Sequence, residues 1–229
     1  MYTYKFNSIK DAEESVGGLS SPSKMPSYCW SISAKRCKVG AKLTEKKGSV
    51  CSGCYALKNM YMFPQTQNAL ENRYNKWNDN RDRFKDAMIY LMNNKKRIVD
   101  TGVFRWFDSG DIQGIEMLSD INDIAWASPY VNFWLPTKEY GVIHKFKKLG
   151  ISQAPNLTIR ISSAFVNESS NVFGTDESTR HKHYSSVYDK DNLIHTQGYV
   201  CPSSKQDNEC KECRACWNSD IEEVTYIAH

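Results

Sequence analysis

Eight cysteines fall into two groups, at positions 29, 37, 51 and 54 and at 201, 210, 213 and 216, with 146 cysteine-free residues between them. In the second group Cys210, Cys213 and Cys216 repeat at a two-residue gap, and Cys201 stands before Pro202. Ferredoxin-type clusters are held by runs of this kind, with one ligand supplied from elsewhere along the chain. A zinc ribbon uses two separate C-x2-C hooks and has no need of a third Cys at the same spacing. The pattern therefore reads as iron–sulfur, with structural zinc as the alternative. In the first group Cys51-Ser-Gly-Cys54 is a tight hook, Cys37 precedes it, and Cys29 lies in an apolar stretch beside Trp30. Cys37, Cys51 and Cys54 would make a three-thiol site that leaves one metal coordinate open. Cys29 stands outside the hook spacings and reads as a buried free thiol. The expected metal ligands are Cys37, Cys51, Cys54, Cys201, Cys210, Cys213 and Cys216, and the two groups are expected to lie close in space.

Cysteine usage also bears on compartment. The chain of 229 residues is larger than disulfide-stapled secreted domains, and Met1-Tyr-Thr-Tyr-Lys-Phe-Asn lacks the apolar segment of a signal peptide. Reduced thiols serving as metal ligands in a cytoplasm fit better, and no apolar run approaches the length of a membrane span. The formal charge of +4 counts every Cys as neutral, so its sign says little about a nucleic-acid partner.

Along the chain, residues 1–64 read as a polar, Cys-bearing lead-in whose first 28 residues are extended. Residues 65–97 carry a helical pattern in which Leu70, Tyr74, Trp77, Phe84, Met88 and Leu91 share a face. The opposite face is basic: eight Lys/Arg against three Asp between 73 and 97. Such a face is usually solvated, but it is the surface a nucleic acid would use. Residues 101–200 alternate strand and helix, with strands near 103–108, 131–136 and 156–162 and helices near 113–127 and 140–149. Two further strands are expected at 195–200 and 223–227, within and after which lies the Cys-rich segment 201–229. Strand starts spaced by roughly 27 residues are those of successive βα units, which build a parallel sheet able to curve into a barrel or half-barrel. His181 and His183 read as a surface loop.

Functional groups in parallel α/β sheets gather past the carboxyl ends of the strands. The loops there offer Asp108, Ser109 and Asp111, then Lys138 and Glu139, then Arg160 at the end of the third strand. Together they are expected to form one polar pocket near the metal, suited to a zwitterionic ligand. Asp108 and Asp111 read equally as helix N-caps. No G-x-S-x-G and no phosphate loop is present, so an enzyme built on this chain would draw its chemistry from a cofactor.

Lys24-Met-Pro, Ser31-Ile-Ser-Ala, Cys37-x-x-Gly-x-Lys-Leu, Gly48-Ser-Val-Cys-x-x-Cys-Tyr-Ala56, Phe104-Arg-Trp-x-Asp-Ser-Gly-Asp111, Phe133-Trp-Leu-Pro-Thr-Lys-Glu139, Asn156-Leu-x-Ile-Arg-x-Ser162 and Cys216-Trp217 together resemble the phage "gene product eighty-eight" family over about 24–229. The resemblance implies a virally encoded protein working in the host bacterial cytoplasm and binding an iron–sulfur cluster, which the cysteine pattern reads as one or two [4Fe-4S] clusters. A weaker likeness is to radical S-adenosylmethionine (radical-SAM) enzymes, which join a curved βα barrel to a three-Cys [4Fe-4S] cluster whose open iron takes the cofactor. Their C-x3-C-x2-C lacks its first member here, where Lys47 stands. The expected architecture is a single α/β domain, 1–229, with a partial, radical-SAM-like βα barrel and Cys-rich N- and C-terminal segments. The expected function is an iron–sulfur protein with a redox or radical-type role, served by a host electron donor, with S-adenosylmethionine as a candidate cofactor. The alternative is a zinc-stabilised nucleic-acid-binding or host-regulatory protein.

Overall fold

A computed structural model describes residues 4–169 and 181–228. The chain builds seven parallel strands in one open sheet, in the order β1-β2-β3-β4-β5-β7-β6. They are β1 (Cys29–Trp30), β2 (Val103–Trp106), β3 (Asn132–Thr137), β4 (Leu157–Ser162), β5 (Tyr184–Tyr188), β6 (Tyr199–Val200) and β7 (Glu223–Ile227). The βα spacing foretold β2, β3 and β4 to within a residue or two. The strand order ends at β1 on one side and β6 on the other, so the sheet does not close, and a parallel sheet is all that the fold shows of the expected radical-SAM-like barrel. Pro136 sits inside β3, where a missing N–H would break a ladder, yet β2 pairs only as far as Trp134. The proline therefore falls past the end of its neighbour's ladder.

Strand alternation divides the two faces. Phe104, Trp106, Phe133, Leu135, Leu157, Ile159 and Ile161 point to one side and pack with the helices in the larger core. That layer comprises α1 (Ile9–Val16), α3 (Pro64–Asp79), α4 (Arg81–Asn94), α5 (Lys96–Thr101), α6 (Ile115–Trp126) and α7 (Tyr140–Lys148), while the short α2 (Val39–Thr44) belongs to the Cys-bearing loop. Trp30 is wedged edge-on against Phe84, Trp106 and Phe107, and its indole N–H donates to the Val16 carbonyl at the end of α1. The other face carries Val103, Trp134 and Val224, covered by residues 215–217. With both faces covered, the strands read as apolar runs rather than as an alternating pattern.

Three expectations are corrected. The first 28 residues are not wholly extended, because Ser8 caps α1 through its hydroxyl and Gly17 ends it in the left-handed conformation. The basic face of 73–97 is not a free cationic surface. Arg81, Arg83, Lys85, Lys95 and Lys96 pair with carboxylates, and Arg73 and Arg97 donate to Gly18, Met25 and Pro26 carbonyls. His181 is buried rather than in a surface loop: its Nε2 lies 2.6 Å from the Ile159 carbonyl oxygen, and burial pushes its pKa down to about 4. Among the described residues, no helix is long and apolar enough to cross a membrane.

Candidate metal centres

The thiols sort into two sets. Cys37 follows a single 3-10 turn and opens α2, while Cys51 and Cys54 bracket a turn closed by a Cys54 N–H to Cys51 carbonyl bond of 3.1 Å. The two pieces meet at Gly40. A Cβ placed there would stand 3.1 Å from the Cys37 Cβ and 3.7 Å from the Sγ of both Cys37 and Cys51. The gap between the two sulfurs is therefore open only because position 40 has no side chain. Burial pushes the Cys37 thiol up to about 12, and Asp111, Cys54, Cys51 and Glu139 reinforce the shift. Burial also raises Cys51, against the attraction of the Lys138 ammonium. Free thiols so shifted stay protonated at neutral pH, so a metal bound here must displace their protons.

Two buried carboxylates fasten this set to the strand ends. Asp111 accepts from the Thr137 hydroxyl at 2.6 Å and from the backbone N–H groups of Lys138 and Ile112, both at 2.8 Å. Glu139 accepts from the N–H groups of Lys38 and Val39 at 3.0 and 2.9 Å, capping the start of α2 next to Cys37. The two acids thus join the loop after β2, the end of β3 and the Cys37 loop. Burial raises the Asp111 carboxyl to about 6, although its three donors pull the other way.

The remaining expected pocket residues lie elsewhere. Asp108 turns to the Ser31 hydroxyl and to Tyr61, whose OH is 3.1 Å away, at the base of a cleft of about 470 Å³ shared with Arg73. Its loop is sterically demanding. Phe107 has φ 55°, and a Cβ on Gly110 (φ +80°) would come within 2.7 Å of the Ile32 carbonyl oxygen. Ser109 is buried, and its hydroxyl has no partner among the described residues. Arg160 points away from the rim altogether. Fully buried, it donates to the backbone carbonyls of Cys216, Ala215, Asn218, Glu222 and Tyr184. Asp111, Lys138 and Glu139 are brought together with Cys37 and Cys51; Asp108, Ser109 and Arg160 are not. Four of the five carbonyls that Arg160 serves belong to the C-terminal segment, and nothing local in sequence announces such partners.

The second set rests on that guanidinium. Cys201 is fixed to β7 by its N–H on the Thr225 carbonyl, and Cys210 to the Lys24 carbonyl. The Cys213 N–H closes a turn on Cys210 at 2.9 Å. Trp217 donates its indole N–H to the Phe104 carbonyl at 2.8 Å and meets Trp134 edge-on at 5.3 Å. The Cys216 Sγ lies 3.1 Å from the Tyr226 hydroxyl, and burial pushes its thiol up to about 12. Cys201, Arg105, Cys213 and Arg214 act on Cys210, whereas Asp111 and the other two N-terminal thiols act on Cys37. The Arg105 charge acts on Cys210, on Cys29 and on Tyr55, the residue after Cys54, and its Nε has no partner among the described residues. Cys29 belongs to neither set; Asp108, Arg105, Ser31 and Arg73 surround it.

As the side chains stand, no three His, Cys, Asp or Glu groups among the described residues converge at metal-ligand distance. The donor chemistry still fits a thiolate-bound metal: soft sulfur ligands on tight turns, a glycine-kept gap between two of them, and nearby carboxylates already occupied by backbone donors.

A family model described as gene product 88 matches residues 6–222. The chain belongs to the gene product 88 family. No curated protein and no solved structure matches it. The phage family likeness read from the motifs thus holds over most of the chain, and the family description names no reaction.

Proposed function

We propose that this gene product 88 family member is a phage-encoded iron–sulfur protein of the host bacterial cytoplasm, with two thiolate sites of different kinds. The observation that carries the reading is the approach of Cys37 and Cys51 at Gly40, with Cys54 close enough to act on Cys37, past the carboxyl end of a parallel sheet. Three thiols leave a fourth metal position for an outside ligand, whereas Cys201, Cys210, Cys213 and Cys216 supply a full set of four. A [4Fe-4S] cluster bound at the first set would supply one-electron chemistry to that ligand. Lys138 and the half-buried Tyr140 stand beside Cys51 and would orient a polar ligand such as the amino and carboxylate groups of S-adenosylmethionine. Asp111 and Glu139 would hold the Cys37 loop rather than touch the ligand, because backbone and hydroxyl donors engage them. In the four-thiol set, Tyr226, Trp217 and Trp134 exclude water from Cys216.

Zinc in the four-thiol set is the second reading, favoured by the degree to which that set is packed into an apolar cluster. An iron, sulfide and zinc assay on anaerobically prepared protein decides between them, with electron paramagnetic resonance after reduction. Four irons and four sulfides per occupied site are expected; zinc without sulfide would overturn the proposal. Dithionite-reduced protein mixed with S-adenosylmethionine is then assayed for methionine and 5′-deoxyadenosine. Formation of neither product, with no spectral change on adding the compound, would reduce the role to electron transfer or regulation.

A further inference from the structure

The segment that carries the open thiol set also holds the chain's excess charge. Residues 34–58 contain seven Lys/Arg and one Glu, a net +6, while the whole chain is +4, so all other residues together carry −2. This is not the basic helical face singled out by sequence spacing, where five of the eight cations pair with carboxylates. Lys35, Lys38, Lys42, Lys46, Lys47 and Lys58 are all exposed, and none makes an ion pair with a described carboxylate. The segment's one arginine is turned away from them: Arg36 pairs with Glu71 at 2.6 Å and stacks on Tyr74. An uncompensated cluster of this size raises the local potential and costs stability through self-repulsion, so a structural role does not account for it.

An apolar patch adjoins the lysines. Tyr55, Met60, Met62 and Phe63 are 58%, 71%, 40% and 58% exposed, four of the eleven exposed large hydrophobic residues falling within nine positions. Of the rest, Ile194, Tyr199 and Val200 form a smaller sequence group away from the lysines, and the others stand apart along the chain. The Tyr55–Leu57 turn that begins the patch packs on both the Ala34–Arg36 turn and the Asn59–Met62 turn, so Lys35 and Lys58 flank the patch. Ser52 and Gly53, the tip of the Cys51–Cys54 hook that precedes this turn, are exposed.

We infer that the lysine-rimmed face of residues 34–63 is the docking surface for an acidic electron-carrier protein, an inference that rests on the iron–sulfur reading above. An apolar centre inside a charged rim is the anatomy of a protein–protein contact, and a rim of one sign selects partners of the opposite sign and speeds their encounter. Lysine is suited to this transient steering, being a hydrated point charge on a flexible stem. Phosphate recognition favours the planar fork of arginine, and here the single arginine is engaged elsewhere. Methionine adapts to a partner's shape, whereas stacking of nucleic-acid bases needs flat rings. The transfer served is a single electron, lost by the reduced carrier and gained by the protein's metal group, with no atom moved.

The test uses holo-protein and two acidic probes, a bacterial flavodoxin and a plant-type [2Fe-2S] ferredoxin, with binding measured by calorimetry. At least one should bind at micromolar concentration in about 25 mM salt and roughly tenfold more weakly in about 300 mM. The triple charge reversal Lys42→Glu, Lys46→Glu and Lys47→Glu should weaken binding roughly tenfold or more. Met60→Ser with Phe63→Ser should weaken it while leaving the salt dependence unchanged. All five side chains are exposed, and unaltered circular dichroism and metal content show that each variant folds. Binding of neither probe, or binding indifferent to both variants, overturns the inference. So does tighter, equally lysine-dependent binding of a single-stranded oligonucleotide, which would make the face a nucleic-acid site. Iron-free protein that binds the carrier in this lysine-dependent way keeps the surface and removes the electron-transfer reading. Iron-loaded protein that binds neither probe does the reverse.

Discussion

The two thiol sets share a ligand type and differ in everything that supports it. Cys201, Cys210, Cys213 and Cys216 lie against the apolar face of the sheet, where Val103, Trp134, Trp217 and Val224 pack and Arg160 ties down five carbonyls. Cys37, Cys51 and Cys54 sit at the strand ends, joined to the sheet through backbone N–H groups that Asp111 and Glu139 accept. One set is built into a core and the other is hung from a rim. Tight turns alone give both sets their ligand spacing, so spacing does not distinguish a closed site from an open one. What separates them is whether the intervening residues are apolar anchors, such as Ala215 and Trp217, or lysines and glycines, such as Lys38 and Gly53.

The largest expected effect breaks the buried side. Arg160→Met removes five donor contacts, three of them to buried carbonyls, and leaving buried acceptors unpaired costs about 3–5 kcal/mol in all. A thermal midpoint lowered by several degrees is expected, with loss of the metal bound by the C-terminal set. A variant with wild-type stability and full metal would mean that the turns alone hold residues 215–218. Metal content split by set, read from spectra of Cys37→Ser and Cys213→Ser backgrounds, shows whether the rim set survives the loss.

Gly40→Ala acts on the rim set with opposite signs on fold and site. In α2 the substitution is favourable for the helix by about 1 kcal/mol, since alanine is the better helix former. Its methyl group would crowd the Cys37 Cβ at 3.1 Å and enter the gap between the Cys37 and Cys51 sulfurs. The expected protein is as stable as wild type, or slightly more so, without metal on the N-terminal set and with the C-terminal set filled. Equal loss at both sets would show that the two are not independent. Glu139→Gln is milder: the amide oxygen still accepts, but a charge-assisted cap on Lys38 and Val39 becomes neutral, for about 1 kcal/mol. Metal on the N-terminal set should be released faster to a chelator, with unchanged release from the other set.

The parts of this molecule that were legible in the sequence are those whose cause is local. The parallel strands β2, β3 and β4 follow from apolar runs at regular spacing, and the buried face of α3 and α4 from its helical periodicity. Cysteine turns are likewise written in adjacent residues. Partners distant in sequence were not legible. Arg160 stands two residues before the end of β4, close to where a rim ligand would stand, yet strand alternation turns it to the face covered by residues 215–217 and onto carbonyls over fifty residues away. The basic run 73–97 resembles a binding face until Asp11, Glu13 and Asp120 arrive from other helices to neutralise it. The lysines of 34–58 could have been found by comparing local with total charge. Strand β1 is two residues long and carries no pattern of its own; pairing with β2 creates it.

The smallest effect is expected at the eighth thiol, which tests whether the comparison needs only two sets. Cys29 is fully buried on β1, and burial together with the Asp108 carboxylate pushes its thiol up to about 12, so it stays protonated at neutral pH. Arg105, Ser31 and Arg73 share its surroundings with Asp108; Arg105 also acts on Cys210, whereas Cys37 answers to Asp111, Cys54, Cys51 and Glu139. Cys29→Ser replaces sulfur by a smaller hydroxyl that has Ser31 and Asp108 as polar neighbours. The exchange should cost about 1 kcal/mol or less, the order of one modest buried substitution. Iron, sulfide and the resonance signal per chain should equal those of wild type. A fall in iron would place Cys29 in one of the sets, and Cys37→Ser and Cys213→Ser, each combined with Cys29→Ser, would show which. If the rim set lost its signal, it would have four ligands and no open position. The contrast between an open and a closed site would then disappear, and with it the reason to expect an exogenous ligand beside Lys138.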